Sequence, residues 1–294
     1  MCEEIGGRPL KIILGIVLIS VLLFNSSLTM RALPESVKTV ILPLTPMRLI
    51  LLVMALGVMF GAYMGIFSIA RIHAIYIPFS AAILISLFVL LIPDTDITNL
   101  FPILGKGTYN IFIKGLPSVS MFSDMIILFL ILPLCKNYET VKSSAKKALI
   151  ISSLFNVLIV LFYNLSYSYP SSEEFLMPLY QMTRLIKIGD FFQRLEAFFE
   201  FVWSIGILLY SSLYLFVLAW IFKEAFNLKY HKPLILPFLI IMSAISFFPS
   251  SSVKMLTLQN ISSILTIPSA FFIPLFIVSV YSKKQGTLNK KGRG

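Results

Sequence analysis

The sequence predicts an all-α integral membrane protein of about eight transmembrane helices, and three observations carry that prediction. Of its 294 residues, 58% are hydrophobic and only 13% charged, whereas a soluble domain carries about a quarter charged residues. The apolar residues run in uncharged stretches of roughly 17 to 25, the length a helix needs to cross a hydrocarbon core of about 30 Å. Within those stretches apolar and polar residues do not alternate, as they would in a transmembrane β-barrel.

The spans are predicted at about 10–27, 47–70, 74–92, 115–135, 148–168, 197–222, 233–249 and 262–282. The first follows Arg8 and is closed by Asn25, Ser26 and Ser27. A secretory signal is the weaker reading of this start: the run is long for one, no small-x-small cleavage pattern follows, and removal would leave an odd number of spans. Gly57, Gly61 and Gly65 give the second span a close-packing face. It ends at Arg71, and the third begins just after His73, which leaves a very short turn. The fourth is broken by Gly115, Pro117 and the stretch Ser118 to Asp124, before a clean run from Met125 to Leu134. Trp203 and Trp220 mark the ends of the sixth as interfacial anchors. Residues 283–294 form a basic tail.

The net charge of +11 comes from 24 Lys and Arg against 13 Asp and Glu. No basic helix with interleaved aromatics is present, so nucleic acid is excluded as the partner and the lipid bilayer takes its place. Most of the basic residues fall on one side: Arg8, Lys11, Arg71, Lys136 to Lys147, Lys223 to Lys232 and the tail. Most acids lie on the other, including Glu35, Asp94, Asp96, Glu173, Glu174 and Asp190. Positive residues resist translocation, so both termini are predicted to be cytoplasmic. Cys2 and Cys135 are too few for a disulfide framework and have no metal-ligand spacing.

Enzyme motifs are absent. The two histidines, His73 and His231, fall in predicted turns, and the chain has no HExxH, GxSxG, P-loop or GxGxxG. The sequence therefore points to no catalytic residue, metal or cofactor.

What remains is polar and helix-breaking content inside the membrane. Asp124 is the acid that follows a break in an apolar span. A charge at that depth is expensive unless it faces a cavity or partner, which makes it a functional candidate; as an alternative, it caps the helix starting at Met125. Discontinuous helices expose backbone groups to a substrate near the midplane, so Gly115, Pro117, Ser118, Phe122 and Asp124 form the candidate ligand site. Arg184, Asp190, Arg194 and Glu196 concentrate opposite charges before the longest helix and read either as a solvated helix start or as an outer lid and gate. Glu196 and Glu200, at i and i+4, share a face and call for cationic neighbours, of which Arg194 and Arg184 are nearest in sequence.

The segment MPLYQMTRLIKIGDFFQRLE from Met177 to Glu196, followed by Trp203, resembles the signature region of the B subunits of bacterial spore nutrient germinant receptors, the endospore germination permeases. Leu42 to Pro46 leading into Gly65 to Arg71, and Phe101 to Gly105, extend the resemblance along the chain. That family is similar to the amino acid-polyamine-organocation transporters, so the resemblance implies an inverted-repeat, leucine-transporter-like fold of ten helices in two five-helix repeats. It places the first span here as the third family helix, the Gly115 to Leu134 span as the second broken helix, and 170–193 as the outer lid. The first two family helices have no counterpart, so the chain is expected to be N-terminally incomplete.

The function implied is that of a permease-like subunit in the spore inner membrane. It would assemble with A and C subunits, sense an amino acid, sugar or nucleoside, and trigger germination. The alternative is a secondary amino acid transporter coupled to protons or sodium. A remnant without function is the third reading, given the missing helices.

Overall fold

A computed structural model describes residues 2–103, 105, 107–135, 137–168, 171–173, 175, 177–186 and 195–280. Every regular element among them is helical: α1 (Cys2–Val40), α2 (Met47–Met64), α3 (Ile66–Leu91), α4 (Thr108–Phe112), α5 (Met125–Ile131), α6 (Tyr138–Ser166), α7 (Pro178–Leu185), α8 (Leu195–Phe226), α9 (Lys232–Ser246) and α10 (Ser252–Ile267). Among the described residues, seven helical stretches are long and apolar enough to cross a membrane: Ile5–Val40, Met47–Met64, Ile66–Asp94, Thr108–Leu134, Tyr138–Ser166, Leu195–Phe226 and Ser252–Val280. The apolar α9 has 15 residues. This is a multi-pass integral membrane protein.

Several bounds differ from the sequence reading, each for a local physical reason. The first helix does not close at Asn25 to Ser27 but continues to Val40. The hydroxyls of Ser26 and Ser27 donate to the carbonyl of Leu23, at 3.2 and 2.6 Å, and Thr29 donates to Asn25 at 3.1 Å. Side chains that bond their own preceding turn stay inside a helix. The turn between the second and third spans lies at Gly65, not at Arg71 to His73. Gly65 has φ +83° and ψ 170°, and its amide bonds the carbonyl of Ala62; this extended, positive-φ backbone is open to glycine and costs an ordinary residue about 1 to 3 kcal/mol. Arg71 and His73 therefore lie within α3, where His73 Nδ1 pairs with the carbonyl of Ile69 at 2.9 Å. α6 starts ten residues before its apolar run because Asn137 caps it, accepting from the amides of Glu139 and Thr140.

α8 is the centre of the molecule. It runs antiparallel to α1, with Lys11 meeting Asn227 at one end and Asn25 meeting Tyr210 farther along. α10 also lies antiparallel to α1, since Asn25 pairs with Ser262 and Glu35 with Ser252. Lipid chains are as apolar as leucine, so close packing rather than water exclusion holds such helices together. Small residues make it possible: a Cβ on Gly61 would stand 2.6 Å from Ser212 Oγ, and one on Gly15 would stand 2.7 Å from Ala225 Cβ. Gly57 also faces α8, at Leu208, so two of the three glycines in that run form the packing face and Gly65 forms the turn.

The main core joins α1, α2, α8 and α9 with Ile126, Ile127 and Ala270. A second cluster packs the end of α3 and α7 against the start of α8, with α6 laid over it through the stacked rings of Phe88 and Phe162, 4.8 Å apart.

Candidate functional site

The fourth span is interrupted where the sequence breaks it. α4 ends at Phe112, the chain turns through Gly115, and Leu116–Phe122 forms a 3-10 segment before α5 resumes at Met125. Pro117 sits at the start of that segment, where its missing N–H is least costly and where a continuing α-helix would meet its ring. The amide of Ser118 bonds Gly115 at 3.0 Å and that of Ser123 bonds Ser120 at 2.9 Å. This tighter pattern shifts the backbone groups out of α-helical register, the condition under which a broken helix exposes them.

Asp124 precedes α5 but makes no capping bond to it, so the capping alternative is set aside. Its carboxylate points to α8 instead. Tyr214 Oη donates a hydrogen bond to Asp124 Oδ1, and Tyr210 Oη donates to the same oxygen at 3.4 Å. Asn25 Nδ2 of α1 donates to Tyr210 Oη at 3.4 Å, and Ser262 Oγ of α10 donates to Asn25 Oδ1 at 3.1 Å. A chain of polar side chains thus ties the interrupted span to α8, α1 and α10. Tyr214 is 0% and Ser262 2% exposed. Removed from water, each bond in such a chain matters more, and losing one partner strands the other.

A second polar layer lies farther along α1, about 15 Å from Asn25 at 1.5 Å of rise per residue. Arg31 Nε stands 3.9 Å from Glu35, whose other oxygen accepts from Ser252 at 2.8 Å. On α8, Glu200 is buried and accepts from Ser204 at 3.4 Å.

Of the residues singled out from sequence, Gly115, Ser118 and Phe122 line an open-sided groove of about 990 Å³ against α6, Pro117 shapes the segment, and Asp124 joins the tyrosines. Arg184 is exposed on α7, its guanidinium 5.8 Å from the Tyr180 ring, and Glu196 stands in the first turn of α8. Asp190 and Arg194 lie outside the described residues.

The sequence reading missed Asn25, Tyr210, Tyr214 and Ser262. Two phenols at i and i+4, with buried Ser211 and Ser212 between them, were the available signal in an otherwise apolar helix.

A multi-pass helical protein whose interrupted span lodges a carboxylate against a central helix has the plan of a permease. The chain belongs to the spore germination protein family, whose model matches residues 1–255. It is similar to spore germination protein A2 of Bacillus subtilis (strain 168), at 24% identity over 225 residues, which make up 76% of this chain and 61% of that protein. The chain thus spans about three fifths of the length of that relative. No solved structure matches it.

Proposed function

We propose that the chain is the permease-like subunit of a nutrient germinant receptor, and that it senses a small nutrient at the interruption of its fourth span. The observation that carries this reading is the hydrogen bond from Tyr214 to Asp124. It makes the position of the broken segment a property that α8, and through Asn25 and Ser262 also α1 and α10, register directly. A ligand that binds the segment better in one position than in another shifts the population of the whole helix set by that difference in affinity.

Gly115, Pro117, Ser118 and Phe122 are the ligand-facing part of the site in this reading and Asp124 is its latch, while Arg184, Asp190, Arg194 and Glu196 serve as outer lid and gate. The family and the relative support the germination role. The subunit would work in the spore inner membrane, both termini cytoplasmic, beside A and C subunits of the receptor. In this reading the site binds its nutrient without transforming it, in keeping with the permease-like family.

The test is Asp124→Ala in spores that depend on this chain. Nutrient response should be lost while the amount of chain in the membrane is unchanged. An unaltered response would remove Asp124 from the mechanism, and nutrient-driven uptake by vesicles containing this chain alone would turn the reading into transport.

A further inference from the structure

The two ends of α10 are attached in different ways. Its C-terminal end runs into a π-helical turn, Pro268–Phe272, closed by the amide of Ile273 on the carbonyl of Pro268, after which residues 273–280 are again α-helical. Pro268 and Pro274 bracket that turn. Neither has an N–H to give, so the carbonyls before them lose their regular partners. The hydroxyl of Ser269 donates to the carbonyls of Leu265 and Thr266, at 3.4 and 2.9 Å, and that of Thr266 donates to Ser263 at 2.9 Å. In lipid, side chains of this kind replace missing backbone partners and let a span bend. Sharp bends in helices fall at prolines and at π-turns, and here the two coincide.

The N-terminal end is stiffened from within and held from outside. Ser251 caps α10, accepting from the amide of Lys254 at 3.3 Å. Ser252 Oγ donates to Glu35 Oε1 at 2.8 Å, and Arg31 Nε stands 3.9 Å from Glu35 Oε2. The carboxylate thus faces the first turn of α10, where the helix dipole favours an anion. Arg31, buried one turn earlier on α1, supplies the opposite charge.

The sixteen residues of α10 rise about 24 Å, so Ser252 stands that far from the π-turn and Ser262 only about 9 Å from it. A bond far from a pivot resists tilting better than one close to it. The bond of Ser262 to Asn25 can therefore survive a tilt that parts Ser252 from Glu35. What α10 leans on is the break itself: it packs against the 3-10 segment Leu116–Phe122, and the π-turn packs against α1 and against α5, which resumes just after that segment.

We propose that α10 is a hinged arm pivoting at Pro268–Phe272, and that Glu35, set against Arg31, is the latch that fastens its free end to α1 and so holds the 3-10 segment in place. The proposal goes beyond the sensing reading and does not depend on it, since it concerns how the segment is held and not what binds there. Glu35 and Arg31 are positioning residues: they act on the segment through α10.

The experiment measures, in isolated spore membranes with no nutrient added, how fast N-ethylmaleimide labels a buried cysteine at the end of the segment. The chain carries Cys2→Ser, Cys135→Ser and Ser123→Cys, and is immunoprecipitated for readout; Ser123 is buried. A second reporter, Ser211→Cys in the core of α8, reads the rest of the bundle. Glu35→Ala should speed labelling at position 123 about tenfold, the effect of losing about 1.4 kcal/mol of the closed arrangement. Ser252→Ala should give part of that gain, and the double variant no more than Glu35→Ala alone, because both substitutions remove the same bond. Glu35→Gln, which keeps an acceptor for Ser252, should fall between wild type and Glu35→Ala. Labelling at position 211 should not change. Adding Pro268→Ala to Glu35→Ala returns an N–H to the turn and should reduce the gain. An unchanged rate at position 123 in both Glu35→Ala and Ser252→Ala would overturn the latch, as would fully additive effects of the two. Equal acceleration at position 211 would mean that the whole bundle loosens and would overturn the arm. A gain untouched by Pro268→Ala would overturn the hinge.

Discussion

Tyr214 and Asp124, 90 residues apart in sequence, are joined by a hydrogen bond in which a fully buried phenol donates to the carboxylate at the break in the fourth span. Replacing Tyr214 by Phe keeps the ring and removes the donor. Asp124 is half-buried and is then left with Tyr210 at 3.4 Å, and leaving such an acceptor under-satisfied costs at most the roughly 1 to 3 kcal/mol of a fully buried one. Tyr214→Phe should lower the melting temperature of the detergent-solubilised protein and change the nutrient threshold in spores. Tyr210→Phe removes the donor at 3.4 Å and with it the acceptor of Asn25, so it too should shift both readouts. Unchanged melting and an unchanged threshold in Tyr214→Phe would contradict the role given to its bond.

Gly61 tests the packing that holds α2 to α8. A methyl group there would meet Ser212 Oγ at 2.6 Å and Cβ at 2.9 Å, and Ser212 is 1% exposed with its hydroxyl bonded to Leu208, so it has little room to give way. Overpacking of this kind costs about 1 to 3 kcal/mol. Gly61→Ala should be clearly destabilising in a thermal-shift assay, and Gly61→Leu more so. At Gly65 a Cβ meets nothing within 4 Å, so Gly65→Ala should show only the penalty of its positive φ. If Gly61→Ala proves neutral, α2 and α8 are not in the close contact described.

His231 gives the fold a pH dependence at the membrane edge. Its ring lies edge-on to Phe216 and Trp220, with centroids at 5.2 and 5.7 Å. Burial, then the nearby Lys223 and Lys232, hold its pKa below the ordinary histidine value. A histidine with a lowered folded pKa binds fewer protons folded than unfolded, so its stabilising contribution is complete above about pH 6.5 and is lost as pH falls toward the folded value. Thermal stability should therefore drop between about pH 7 and lower values, and His231→Phe should flatten that part of the profile. A histidine-dependent rise in stability on acidification would contradict the sign.

How much of this was legible in sequence varied with the physics of each element. The break at Gly115 to Asp124 was readable because glycine and proline act on the backbone through covalent geometry, whatever surrounds them. The contacts of Asp124 were not readable. α8 is apolar on every side, so helical periodicity carries no information about which face meets α1 and which meets α5. Asn25 was misread as a helix end because polar clusters resemble caps. Only the fold shows that its serine neighbours bond back to Leu23 and that Asn25 itself reaches Tyr210 and Ser262. The turn was displaced by six residues because Arg71 and His73 are conspicuous, whereas Gly65 resembles the glycines before it.

Orientation can be settled with the chain's own thiol. Cys135 is free and exposed, just past the end of the interrupted span, and it precedes the lysines at 136, 142, 146 and 147 that the charge asymmetry assigns to the cytoplasmic side. With Cys2 replaced by Ser to leave one thiol, a membrane-impermeant maleimide should label Cys135 in inside-out vesicles and in detergent, but not in right-side-out vesicles. A cysteine introduced at Asp96, at the other end of α6 through its bond to Leu165, should give the reverse pattern. Twenty-nine residues of α6 rise about 43 Å at 1.5 Å per residue, enough to put the two positions on opposite faces of a bilayer. Both sites labelling from the same side would mean that α6 does not cross; both patterns inverted would place the lysine-rich face outside and, with it, the groove on the cytoplasmic side, where an external nutrient could not reach it.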